Sequence, residues 1–160
     1  MEHLDTQVRE VYERVGLTMS LAQCLEHRLA VLLTCANDFG PDGCTAERYD
    51  KVLRDFLARP FGQMVSELCD SVKLPPELER RLRNAVTIRN RLAHRYFRES
   101  VGEFVSPDGR RVMIEELDRL SDELNELDDH VERLQIAWLR QGVITLESLV
   151  RCIETPPEEA

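Results

Sequence analysis

The chain has 160 residues, of which 42% are hydrophobic and 32% are charged, and its formal net charge at pH 7 is −9. This length favours one domain with its own core, and the acidic balance argues against a general nucleic-acid coat protein. No apolar run reaches the roughly 18 residues of a membrane span, and residues 1–5 lack the basic start of a signal peptide. The chain has five cysteines but no Cys-x-x-Cys pair, which predicts free thiols in a cytoplasmic protein.

Helical periodicity dominates the first half of the sequence. Apolar residues recur at spacings of four and three over residues 5–36, with Thr18 as a polar exception, which predicts a long first helix. Turn-forming residues fill 37–43 and predict a loop. Thr45 can cap a second helix to about Ala58, and Pro60 separates it from a short third helix over residues 61–72.

Two further long helices are predicted in the second half. Leu74-Pro75-Pro76 is a helix start, and this helix extends to about Ser100. Residues 102–111 predict a turn or a small hairpin. The last long helix covers 113–142, a short helix follows over 145–154, and residues 156–160 are expected to form a disordered tail after one domain of residues 1–155.

The apolar seam of residues 113–138 repeats at spacings of four and three without interruption. Such a seam packs either against residues 5–36 in an antiparallel bundle within the chain, or against a second chain as a coiled coil. The first alternative gives an all-α, up-and-down bundle of four to five main helices.

Residues 89–96, Arg-Asn-Arg-Leu-Ala-His-Arg-Tyr, interrupt this pattern of buried apolar residues. At about 100° per residue, Arg89 falls near the middle of the apolar arc of its helix, and Asn90 and His94 lie along the edge beside Arg83. The predicted arc consists of Leu78, Leu82, Ala85, Val86, Ala93, Tyr96 and Phe97. A guanidinium there needs an ion-pair partner, for which Glu26 is a candidate, or a polar cleft.

Charge is distributed unevenly along the chain. Residues 77–98 hold seven arginines and two glutamates, a balance of +5, whereas residues 113–160 hold thirteen acidic residues and four arginines, a balance of −9. The cationic group could line a phosphate-binding cleft, or its arginines could pair with the acidic helix.

The residues Arg89, Asn90 and His94 form an Arg-Asn-x-x-x-His pattern that resembles the motif of the HEPN superfamily (higher eukaryotes and prokaryotes nucleotide-binding domains). Tyr96, two residues later, extends the similarity to the Arg-x4-His-x-Tyr form of toxins from HEPN/MNT toxin–antitoxin pairs. The resemblance implies a helical bundle and a metal-independent endoribonuclease that acts as a homodimer. It also implies a cognate nucleotidyltransferase-type antitoxin, for which Tyr96 would be the modification target.

The chemistry of RNA cleavage suits these residue types. A base must take the 2′-hydroxyl proton, an acid must protonate the leaving 5′-oxygen, and a cation must stabilise the phosphorane. We expect His94 to transfer protons, Arg89 to bind the phosphate, and Asn90 either to orient the imidazole or to contact the phosphate. Arg83, Arg91 and Arg95 are expected to contact the RNA backbone, although solvent is an alternative for the last two. Neither a metal nor another cofactor is expected.

Two other functions remain open on the sequence alone. The chain could be a catalytically silent HEPN module that binds a nucleotide, RNA or a protein partner, or a helical regulator whose 113–138 seam engages another protein.

Overall fold

The computed structural model describes residues 6–38, 45–72 and 74–140, the side chains of residues 37 and 38 excepted, and these ranges contain seven helices and no strand. Three helices are long, namely α1 (Thr6–Asp38), α4 (Pro76–His94) and α7 (Pro107–Arg140). Four are shorter, namely α2 (Ala46–Leu57), α3 (Phe61–Ser71), α5 (Tyr96–Glu99) and α6 (Val101–Phe104). The all-α prediction is therefore confirmed.

The starts of the middle helices follow the predicted local signals. The Thr45 side chain accepts a hydrogen bond from the backbone N–H of Arg48 and so caps α2. Pro60 and Pro75 directly precede α3 and α4, where extended backbone gives way to the first helical turn.

The last helix packs against the first, as one of the two alternatives predicted. However, the two helices run parallel, and the antiparallel prediction is wrong. Their contacts advance together along both chains: Arg14 pairs with Asp118, Thr18 with Ser121, and Arg28 with Asp128. The reason is the intervening α4, which runs antiparallel to α7, so that the last helix returns in the direction of α1.

The core lies between the long helices, with α3 covering one side. The apolar seam of α7 is buried from Met113 to Trp138. Its one departure from the prediction is Ser121, which is buried, whereas Leu120 is only partly buried. Ser121 lies 2.8 Å from the Thr18 hydroxyl, so the two polar residues within the seams satisfy each other.

The buried face of α4 is rotated from the predicted arc. Ile88 and Leu92 are buried, whereas Ala93 and Phe97 are exposed. The rotation follows from contacts with α7, since Asn84 donates a hydrogen bond to Glu123 across this boundary. Arg89 consequently lies at the edge of the buried face and not near its middle.

The chain reverses direction between α4 and α7 through two single-turn helices. α4 ends at His94 because Arg95 leaves helical geometry, with φ −136° and ψ −20°, so the prediction of one helix to Ser100 is wrong. The predicted turn or hairpin over 102–111 is instead α6, a bend and the start of α7. At this corner Gly109 packs against the backbone of Glu103, where a Cβ would lie 2.2 Å from the carbonyl oxygen.

Several predictions fall outside the described residues. These are the loop over 39–43, the short helix over 145–154 and the tail over 156–160. None of the described helices has an apolar stretch long enough to cross a bilayer. Within the described ranges, Cys24 and Cys69 are free thiols.

Candidate functional site

The motif residues lie together on the last two turns of α4. Asn90 and His94 are exposed, and the Arg89 side chain is 30% exposed. His94 is the final residue of the helix, directly before the break at Arg95. Asn90 and His94, one turn apart, therefore share an exposed edge of α4, and the Arg89 guanidinium contacts Asn90.

Arg89 contacts an acceptor on each of two sides. Its Nε lies 3.7 Å from Oε2 of Glu26 on α1, and its Nη1 donates a 3.3 Å hydrogen bond to Oδ1 of Asn90. The Nε atom is buried and makes no hydrogen bond. Glu26 is therefore the partner of Arg89, as the sequence suggested. The contact is longer than a hydrogen bond, and the Arg89 side chain stays partly exposed to solvent.

The remaining described histidines lie on other helices. His27 is exposed on α1, and His130 is half-buried on α7. Burial lowers the pKa of His130, and the nearby Arg81 and Arg133 lower it further. Among the histidines that the structure describes, His94 alone lies on the same helix as Arg89.

Arg91 takes part in a network that joins the end of α4 to α7. Its Nη1 donates to Glu116 at 2.7 Å, its Nε donates to Glu99 at 2.9 Å, and its guanidinium lies over the Tyr96 ring. This arrangement fixes the helix around the break at Arg95. Contact of Arg91 with an RNA backbone would have to compete with two carboxylates.

Tyr96 belongs to the core. Its side chain is 1% exposed, and its hydroxyl lies 3.3 Å from Oε2 of Glu116 and 3.5 Å from the Met113 carbonyl oxygen. Burial raises the pKa of the Tyr96 hydroxyl well above its usual range, and the Glu116 charge raises it further. A modifying enzyme would reach this hydroxyl only after the chain around it had opened.

Other arginines of the cationic helix also have carboxylate partners. Arg83 pairs with Glu79 within α4, and Arg95 lies 3.6 Å from Glu99. Arg81 reaches Glu126 on α7 at 3.8 Å. The predicted pairing with the acidic helix is thus observed for Arg81 and Arg91, whereas Arg83 pairs within α4. The phosphate-binding cleft stays a prediction.

An aromatic cluster adjoins the motif. Phe97, one turn beyond Ala93, lies 5.3 Å from the Tyr12 ring and 5.7 Å from the Phe104 ring. Tyr12 is 49% exposed and Phe97 is 37% exposed, and Val101 beside them is 62% exposed. Sequence reasoning missed Tyr12 and Phe104, because no local pattern connects residues on three separate helices.

No three His, Cys, Asp or Glu side chains are grouped for metal binding within ranges 6–36, 45–72 and 74–140. A cavity of about 290 Å³ between α4 and α7 is lined by Arg91 and Glu116, among others, and not by Arg89 or His94. An open groove of about 500 Å³ runs beside α1 and is lined by Cys24, His27, Arg28 and Gln135, whereas Arg89 and His94 do not line it.

Comparisons with family models, with curated proteins and with solved structures find no match for this chain.

Proposed function

We propose that the protein is a HEPN-type, metal-independent endoribonuclease that acts as a homodimer. The observation that carries the proposal is the exposed edge that Asn90 and His94 share at the end of α4, with the Arg89 guanidinium hydrogen-bonded to Asn90. A guanidinium and an exposed imidazole on the same two helical turns are suitable groups for binding a phosphodiester and moving a proton.

In the proposed reaction, the 2′-oxygen of RNA attacks the adjacent phosphorus and the bond to the 5′-oxygen breaks. One imidazole takes the 2′-hydroxyl proton, and a second imidazole protonates the departing 5′-oxygen. Arg89 stabilises the additional negative charge of the phosphorane. Since each chain contributes one His94 to this edge, two chains related by a two-fold axis would supply both proton-transfer groups.

The aromatic cluster supports a second copy as the partner of this surface. Phe97, one turn beyond Ala93, and the Tyr12 ring that it contacts present exposed apolar area, and Val101 in the following helix is also exposed. Contiguous exposed apolar surface of this kind is typical of protein interfaces. A dimer that buried it would bring the two motif helices together, which is the arrangement the two-histidine reaction needs.

A catalytically silent HEPN module that binds a nucleotide, RNA or a protein partner is the second candidate. One observation favours it: Glu26 lies beside Arg89, and Arg83, Arg91 and Arg95 each have carboxylate partners. These carboxylates reduce the positive charge available to RNA.

The biological setting we propose is a toxin–antitoxin pair or phage defence. In that setting a nucleotidyltransferase-type antitoxin would neutralise the enzyme. Because Tyr96 is buried, its modification would have to capture a form in which residues 95–104 have opened.

The test is degradation of RNA by purified protein with EDTA present. We expect the wild type to cleave, and His94→Ala and Arg89→Ala each to lose at least about a hundredfold in rate. His27→Ala, which removes an exposed imidazole from α1, is the matched control and should retain full activity. A folded wild-type dimer that cleaves no RNA would favour the silent module, and a protein that stays monomeric at micromolar concentration would contradict the proposal.

A further inference from the structure

Glu26 occupies an unusual place for a carboxylate. It lies on α1 next to Leu25, which is fully buried, and its own side chain is only 16% exposed. A carboxylate so far from water is costly unless a positive charge compensates it. The ion-pair partner that the structure provides is Arg89, at 3.7 Å.

Together, Glu26 and Asn90 restrict how the Arg89 guanidinium can rotate. Glu26 faces Nε at the base of the group, and the Asn90 side chain accepts a hydrogen bond from Nη1. A guanidinium is planar, so one hydrogen bond at Nη1 and a carboxylate charge facing Nε together favour one orientation of the whole plane. This bias exists before any ligand arrives.

We infer that Glu26 is a positioning residue, which orients Arg89 for an RNA phosphate and at the same time weakens the binding of that phosphate. The inference rests on the proposed function, in which Arg89 is the phosphate ligand. Orientation favours turnover because a preorganised cation stabilises the transition state without reorganising. The carboxylate opposes binding because it repels an anion held by the same guanidinium.

Two substitutions separate position from charge. Glu26→Gln keeps the shape and removes the charge, so RNA should bind on the order of threefold more tightly while kcat falls about tenfold. Glu26→Asp keeps the charge but withdraws it by one methylene, so affinity should stay near that of the wild type while kcat falls. A residue needed only for folding would not produce opposite changes in affinity and turnover.

The experiment measures two quantities for each variant. The dissociation constant is measured with a short 2′-O-methyl RNA, which lacks the attacking hydroxyl and stays intact. The values of kcat and KM are measured with the unmodified RNA. Glu13→Gln is the control of equal charge change, because Glu13 lies 58% exposed on α1 and pairs with Arg9. Circular dichroism establishes that each variant is folded.

The outcomes distinguish the inference from the proposed function. Tighter binding and slower turnover in Glu26→Gln, with neither change in Glu13→Gln, support the inference. Equal affinities and rates in Glu26→Gln and Glu13→Gln overturn it, even if the wild type cleaves RNA. If the wild type binds RNA without cleaving it, the enzyme proposal fails, and the 2′-O-methyl affinities alone decide whether Glu26 opposes phosphate binding at Arg89.

Discussion

The corner between α6 and α7 should be intolerant of even one additional methyl group. At Gly109 an added Cβ would lie 2.2 Å from the carbonyl oxygen of Glu103, 2.5 Å from its Cα and 2.6 Å from its carbonyl carbon. All three atoms belong to the backbone, so no side-chain rotation relieves the overlap, and the two segments would have to separate by roughly 1 Å. Overpacking of this kind costs about 1–3 kcal/mol.

Gly102 offers a matched comparison seven residues earlier. It lies in α6, and an added Cβ there meets nothing within 4 Å. Gly102→Ala should therefore raise the free energy of unfolding by about 0.5 kcal/mol through the lower entropy of the unfolded chain. Gly109→Ala should lower it by about 2 kcal/mol.

Thermal unfolding followed by circular dichroism measures both effects. For a domain of this size, about 1 kcal/mol corresponds to roughly 2–4 °C in Tm. We expect Gly109→Ala to unfold about 4–8 °C below the wild type, and Gly102→Ala to unfold slightly above it. Equal Tm values for the two variants would refute the reasoning, because they would mean that the corner has room for a side chain.

Three further predictions follow from other contacts. The folded-state pKa of Tyr96 lies above its ordinary value of 10.0, so its contribution to stability is complete below about pH 10 and is lost as the pH rises further. In urea unfolding from pH 8 to 11, the free energy of unfolding of Tyr96→Phe should therefore decline less steeply toward alkaline pH than that of the wild type. An unchanged decline would contradict this, and Tyr12→Phe is the control at an exposed tyrosine. Arg28→Ala breaks two hydrogen bonds to Asp128 and one to Glu132, so it should lower the free energy of unfolding by about 1 kcal/mol and make that free energy less dependent on salt. Arg9→Ala removes an exposed ion pair with Glu13 and should change the free energy of unfolding little. Equal effects of the two substitutions would count against the ion pairs between α1 and α7. Ala93→Glu, at an exposed position between the motif residues, should shift sedimentation from dimer to monomer while circular dichroism shows that the chain stays folded. A dimer as stable as the wild type's would exclude this surface as the interface.

The long helices could be predicted from sequence because their signals are local. The seam of residues 113–138 and the Thr45 cap depend on residues within a few turns of one another. The direction of packing could not be predicted in the same way. Parallel and antiparallel neighbours bury the same seam, and the deciding contacts, such as that of Thr18 with Ser121, join residues 103 positions apart.

The same distinction applies to the site. Asn90 and His94 share an exposed edge of α4, as their spacing within one helix predicted, whereas Arg89 lies at the edge of the buried face and not near its middle. The exact rotation of that helix depends on its neighbours, which is why Ile88 and Leu92 took the buried places expected for Ala93 and Phe97. The surroundings of Arg91, including Glu116, come from distant parts of the chain and leave no pattern that a single sequence can reveal.

The proposed endoribonuclease needs two copies of His94 in one cleft, and a subunit-mixing experiment tests this requirement directly. Wild type and His94→Ala are mixed in equal amounts, exchanged to equilibrium, and assayed for RNA cleavage at fixed total protein. If each active site needs an imidazole from both subunits, only dimers of two wild-type chains cleave RNA. Activity then falls to about one quarter of the activity of wild type alone at the same total protein concentration. Activity of about one half would show that each chain works alone and would contradict the shared site.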